Sequence, residues 1–176
     1  VLNVVHGDAT AADVILEHPD VSGVSFVGSS AVARLVYAKA GQTGKRVQAL
    51  GGAKNHMVVL PDADLNLATD AAISSVFGSA GQRCLANSVL VGVGEAYDRV
   101  KVQLLEGANS LRVGYGLDED TFMGPVISRR HRDRVVDLID QGEREGADVA
   151  LDGRGFQVDG YPEGHWVGPT VLEGVE

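Results

Sequence analysis

The chain has 176 residues, 44% of them hydrophobic and 22% charged, with a formal net charge of −9 and one cysteine. That length suffices to bury a core as one domain or parts of two, while the acidic balance disfavours nucleic acid, whose phosphates demand clustered cations. No apolar stretch is long enough to span a bilayer and no charged-then-apolar leader is visible, so nothing points to a membrane or export, and a lone cysteine forms no internal disulfide.

In chain order, residues 2–5 are a short apolar run, and residues 10–18 carry apolar residues at helical spacing behind Asp8 or Thr10 as N-cap. Residues 24–27 read as a buried strand, 31–40 as a helix stopped by Gly41 and Gly44, and 47–50 as a second strand. This is the βαβ rhythm of a parallel sheet, so the expected class is α/β. A strand at 56–60, a turn at Pro61-Asp62 and a helix from Asp64 to Gly78 follow, the helix with a close-packing stripe of Leu67, Ala71, Ser74, Ser75 and Gly78. Then come a strand at 89–93, helices at 97–108 and 129–146, and a glycine-rich loop or hairpin at 152–164. In the last helix Val135, Leu138 and Ile139 form the apolar face. Arg129, Arg130, Arg132 and Arg134 near its start read as a solvated face with acidic partners at helical spacings rather than an anion site, because cations at a helix N-terminus oppose the macrodipole.

The segment FGSAGQRC at 77–84 ends on the single cysteine, Cys84. A nucleophilic cysteine needs room for a substrate carbonyl and a cationic neighbour. Gly78, Ala80 and Gly81 offer the room and Arg83 the charge. The competing reading is a small buried hydrophobe.

Two further segments decide the balance: QALGGAKNH at 48–56 and FVGSS at 26–30. With the cysteine segment they resemble, in order, the ELGGK, GQxC and FTGST motifs of the aldehyde dehydrogenase superfamily. Aligning Lys54 with the lysine of ELGGK puts Leu50 where that family has its glutamate. GAKNH, the missing glutamate and Arg83 just before Cys84 together resemble the methylmalonate semialdehyde dehydrogenases, as do MGPVIS at 123–128, LIDQGEREGA at 138–147, LDGR at 151–154 and GPT at 168–170. Family members are much longer, so the chain reads as an internal segment.

The resemblance implies an aldehyde-dehydrogenase-like fold, with residues 1–52 the C-terminal portion of an NAD-binding domain and 53–176 most of a catalytic α/β domain, incomplete at its C-terminus. It places Gly28 and Ser29 near the cofactor pyrophosphate, with a plain turn glycine as the alternative for Gly28, and Gly51 near the nicotinamide. It implies that Cys84 attacks an aldehyde, that NAD takes a hydride, and that the acyl group on Cys84 passes to coenzyme A, since Leu50 has no proton-accepting atom with which to activate water. Arg83 has three roles open to it: a carboxylate clamp, electrostatic activation of Cys84, or a surface ion pair. The resemblance favours the clamp, and with it a carboxylate-bearing semialdehyde, decarboxylation and a propionyl-CoA or acetyl-CoA product.

His56 reads as a hydrogen-bonded core or boundary histidine rather than a proton shuttle, and the scattered histidines lack the spacing of a metal site. By resemblance the full-length enzyme is a homo-oligomer, dimer or tetramer, in the cytoplasm, or in the mitochondrial matrix of a eukaryote. A hydrolytic aldehyde dehydrogenase and a non-catalytic isolated domain are the alternatives.

Overall fold

Asp8 starts the first regular element, its side chain accepting a 2.9 Å hydrogen bond from the Thr10 amide, so of the two cap candidates it is Asp8 that caps α1 (Ala9–Glu17). The computed structural model describes residues 1–175. The chain divides into one compact unit over Val1–Ala53 and a second from Lys54 onward. Among the described residues no helix is long and apolar enough to cross a membrane.

In the first unit β1 (Gly23–Val27) and β2 (Arg46–Leu50) pair in parallel, in register from Gly23 with Arg46 to Val27 with Leu50, and α2 (Ser30–Gln42) connects them. Val24, Phe26 and Val47 pack on Leu16, Val36 and Ala40 of the helices. Only that face is covered. Ser25, Val27, Gln48 and Leu50 alternate outward and are exposed, so β1 is half-covered rather than the buried strand expected. Residues 2–5 form no strand and lie exposed. Helix α2 runs through Gly41 and the chain turns at Gly44 (φ 68°), because the Thr43 hydroxyl caps the final carbonyls by donating to Lys39 and Ala40. Just beyond, Lys45 is buried with its ammonium donating to the carbonyls of His18 (2.6 Å) and Val21 (2.8 Å).

In the second unit β3 (Asn55–Val59) and β4 (Asn87–Gly92) are parallel, joined through α3 (Leu65–Phe77) and a short 3-10 turn over Gly78–Gly81. Asp64 caps α3 through the amides of Asn66 and Leu67. The buried face of α3 is Leu65, Thr69, Ala72 and Phe77, whereas Leu67, Ala71 and Ser74 of the expected stripe are exposed. Leu65 sets this face: it belongs to the cluster with Val59, Ala96 and Val100, and residues four and seven later share its side of the helix. Helix α4 (Ala96–Asn109) packs on α3, with Leu104 and Ala108 beside Ala72, Phe77 and Trp166 in the main core.

Helix α5 (Arg129–Arg144) is capped by Ser128 and buries Ile139, but Leu138 is 54% exposed, against its expected place on the apolar face. Its arginines find partners mostly outside helical spacing: Arg129 reaches Glu163 (3.2 Å) and Arg132 its neighbour Asp133 (2.6 Å). Asp140 and Glu143 are taken by Arg154 instead, at 2.6 and 2.7 Å. Two strands the periodicity does not announce, β5 (Asp148–Leu151) and β6 (Val171–Glu173), pair antiparallel around the 152–164 loop. They are too short for alternation to register.

Candidate active site

The chain leaves α3 at Gly78 and enters three successive residues in the left-handed region: Ser79 (φ 54°), Ala80 (φ 52°) and Gly81 (φ 70°). Two of them are not glycine, at a cost of about 1–2 kcal/mol each, so the surroundings must over-determine the turn. Gln82 does so. Its amide and its Nε2 both donate to the Ser79 carbonyl (3.1 and 2.9 Å), and its Oε1 accepts from the Ile127 amide (2.9 Å), tying the turn to the segment that leads into α5.

Cys84 follows with its side chain exposed and its sulfur free, so the reading as a buried hydrophobe is set aside. The backbone around it is held from two sides. Asn55, the first residue of β3, donates from Nδ2 to the carbonyls of Cys84 and Ala86. On the other side the Ser75 hydroxyl donates to Asn87 Oδ1 (2.8 Å) and accepts from the Asn87 amide (3.0 Å), fastening the start of β4 to α3. Among the described residues the Cys84 amide has no hydrogen-bond partner.

Arg83 makes no ion pair among the described residues, which removes one of its three possible roles. Its Nη2 donates instead to the carbonyls of Ser74 and Ser75, at the C-terminal end of α3 where the helix dipole is negative. The space beside Gly78 is therefore filled by the guanidinium: a Cβ at that position would overlap Nη2 and lie 2.9 Å from Cζ. The room expected there for a substrate is occupied by Arg83.

His56 donates from Nδ1 to the Lys54 carbonyl (3.0 Å) but is exposed, so the expected hydrogen bond is present without the core position. Asn55, between them, holds the Cys84 loop, and neither it nor Gln82 stands out by sequence chemistry, since an amide lends itself to no nucleophile or base pattern. A polar residue inside the cysteine motif, two before Cys84, and another opening an apolar strand, were the available signals. No group of three or more metal-ligating side chains forms among the described residues.

In the first unit, Gly28, Ser29 and Gly51 meet at the C-terminal edge of the β1–β2 pair, beside the N-terminus of α2. The Gly28 amide donates to the Leu50 carbonyl (3.1 Å), and Ser29 is the N-cap of α2, its hydroxyl accepting from Val32 (3.4 Å). Ser30, not singled out in the sequence, links the two turns by accepting from the Gly52 amide (3.1 Å). Both glycines have an internal reason as well: a Cβ on Gly28 would overlap the Phe26 ring, and one on Gly51 would stand 2.7 Å from the Ser30 hydroxyl. Two glycines and small serines at the strand ends, against a helix N-terminus, are the setting in which α/β sheets take phosphates.

The chain is 50% identical over 178 residues to malonate-semialdehyde dehydrogenase 2 of Geobacillus kaustophilus, an alignment covering 99% of this chain and 36% of that protein. Among solved structures it superposes on a Sinorhizobium meliloti protein assigned as a methylmalonate-semialdehyde dehydrogenase and complexed with NAD, with a TM-score of 0.91, 48% identity, and coverage of 94% of this chain and 34% of that one. Betaine aldehyde dehydrogenase of Staphylococcus aureus in complex with NAD+ gives a TM-score of 0.91 at 30% identity, covering 97% and 34%. The chain thus spans about a third of the length of the relatives it matches. The profile of the aldehyde dehydrogenase family matches residues 1–176 throughout, and the chain belongs to that family.

Proposed function

We propose that this chain is the nucleophile-bearing part of an NAD-dependent semialdehyde dehydrogenase that passes its acyl group to coenzyme A, acting on malonate or methylmalonate semialdehyde. The observation that carries this reading is an exposed Cys84 at the end of a strained turn, with the backbone before and after it pinned by Gln82 and Asn55. Half-identity to a malonate-semialdehyde dehydrogenase directs the choice of substrate. In this reading residues 1–52 belong to the nucleotide-binding domain and 53–176 to the catalytic domain.

The thiolate of Cys84 adds to the aldehyde carbon, and the oxygen becomes an alkoxide. The uncommitted Cys84 amide is a donor suited to it. Arg83 holds one oxygen of the substrate carboxylate through Nη1 while Nη2 stays on α3. The amides at the α2 N-terminus and the bare positions Gly28 and Gly51, with Ser29, would hold the phosphates and nicotinamide side of NAD, which when bound supplies a hydride acceptor. Loss of hydride leaves a thioester on Cys84. Leu50 has no atom that takes a proton from water, so the coenzyme A thiol is the nucleophile that releases the acyl group. Departure of the substrate carboxylate as carbon dioxide leaves its bonding pair on the α-carbon as a thioester enolate, which takes up a proton, and the product is propionyl-CoA or acetyl-CoA.

The test is Cys84→Ser in the full-length enzyme that carries this chain. NADH formation in a single turnover should be abolished while NAD binding stays near that of the parent. A burst close to the parent's would refute the assignment, and loss of NAD binding would make Cys84 structural.

A further inference from the structure

We infer that Gly78 is a positioning residue for substrate selection, acting through Arg83. The inference rests on the reading of Arg83 as the carboxylate clamp and adds to it the reason the guanidinium stands where it does. At Gly78 the backbone has φ −56° and ψ 133°, a conformation open to any residue, so no turn geometry calls for glycine. What calls for it is space. The three heavy atoms nearest a Cβ built at 78 are Nη2, Cζ and Nη1 of Arg83, and no other group lies closer than these.

The seat has a floor as well as a wall. Nη2 donates to the carbonyls of Ser74 and Ser75, the first of which also accepts the Gly78 amide at the end of α3. With Nη2 spent on the helix end, the guanidinium keeps no two-nitrogen edge, and Nη1 is the terminal donor left for a substrate oxygen, its direction fixed by α3 rather than by the flexible stem of the arginine. A methyl group at 78 displaces the head of a long, exposed side chain and nothing stiffer. The fold therefore tolerates it, and the clamp loses its seat.

Gly78→Ala in the full-length enzyme should lower kcat/KM for malonate semialdehyde about tenfold relative to an uncharged aldehyde of similar size, the scale of one charge-assisted hydrogen bond. The thermal midpoint should stay near the parent's. In an Arg83→Ala background the same change should add nothing to the discrimination already lost, because Gly78 has then nothing to seat. Independently of catalysis, the rate at which phenylglyoxal labels Arg83, followed by peptide mass spectrometry, should rise severalfold in Gly78→Ala as the guanidinium leaves the two carbonyls. An unchanged labelling rate, an unchanged substrate ratio with Arg83 present, or equal losses on both aldehydes would each overturn the inference. Arg83→Ala alone leaving the ratio intact would instead bring down the clamp reading, and the specificity role of Gly78 with it.

Discussion

Asn55 donates from one side-chain nitrogen to the carbonyl of Cys84 at 3.0 Å and to that of Ala86 at 2.9 Å, so the first residue of β3 sets the course of the chain leaving Cys84. Both protons of the amide are used, which fixes the Cys84 carbonyl without touching the sulfur.

Asn55→Ala should therefore slow alkylation of Cys84 by iodoacetamide and lower kcat several-fold, with KM changed less. The two hydrogen bonds are worth about 0.5–1.5 kcal/mol each, and the partly exposed carbonyls recover water. Alkylation rates unaltered in Asn55→Ala would show that the loop keeps its course without the amide.

Ala80→Gly should raise thermal stability. Ala80 sits at φ 52°, where a Cβ is penalised, and the relief of about 1–2 kcal/mol exceeds the 0.4–1 kcal/mol that glycine adds to unfolded-chain entropy. Urea unfolding of the two proteins decides the sign. A less stable variant would mean that the turn is held by the Ala80 methyl, which packs against the main core.

In the proposed reaction Leu50→Glu should divert acyl-enzyme from coenzyme A toward free acid, because the family resemblance puts a water-activating carboxylate at that position. The ratio of free acid to acyl-CoA product measures it. An unchanged ratio would remove Leu50 from the vicinity of the thioester.

Glu173 on β6 takes a 2.7 Å ion pair from Lys101 and a 3.1 Å hydrogen bond from the Tyr97 hydroxyl, and these hold its carboxyl below the ordinary value of 4.5, the Lys101 contact most. A depressed carboxylate contributes stability that is complete above the unfolded value and fades as pH falls through the folded one. Glu173→Gln should accordingly lower the thermal midpoint at neutral pH, and the difference from the parent should shrink below pH 4.5. A gap that persists in acid would assign the loss to packing.

The elements that carry long periodic patterns were legible: α1, α2, α3, α4 and both parallel pairs stand within a few residues of the expected ranges. What escaped was set by partners distant in sequence. The face of α3 follows Leu65 because Val59, Ala96 and Val100 gather there, and Leu138 is left outside by the same logic on α5. In the site, the motif drew attention to Cys84 and Arg83, but a string cannot show that Gln82 reaches Ile127 or that Asn55 reaches Cys84. The space beside Gly78 was recognised, and its occupant was not, since an exposed arginine has many rotamers until a helix end selects one.

The bridge from Gln82 to the Ile127 amide spans 45 residues of sequence. A ribosome emits the cysteine well before the residue that straps its loop, so during synthesis the left-handed turn has no external tether and relaxes to ordinary backbone. Cys84 thus emerges in a loop without its folded course, which is set only once the segment leading into α5 has arrived and docked. Reactivity of Cys84 in a nascent chain is then a clock for the folding of the second unit.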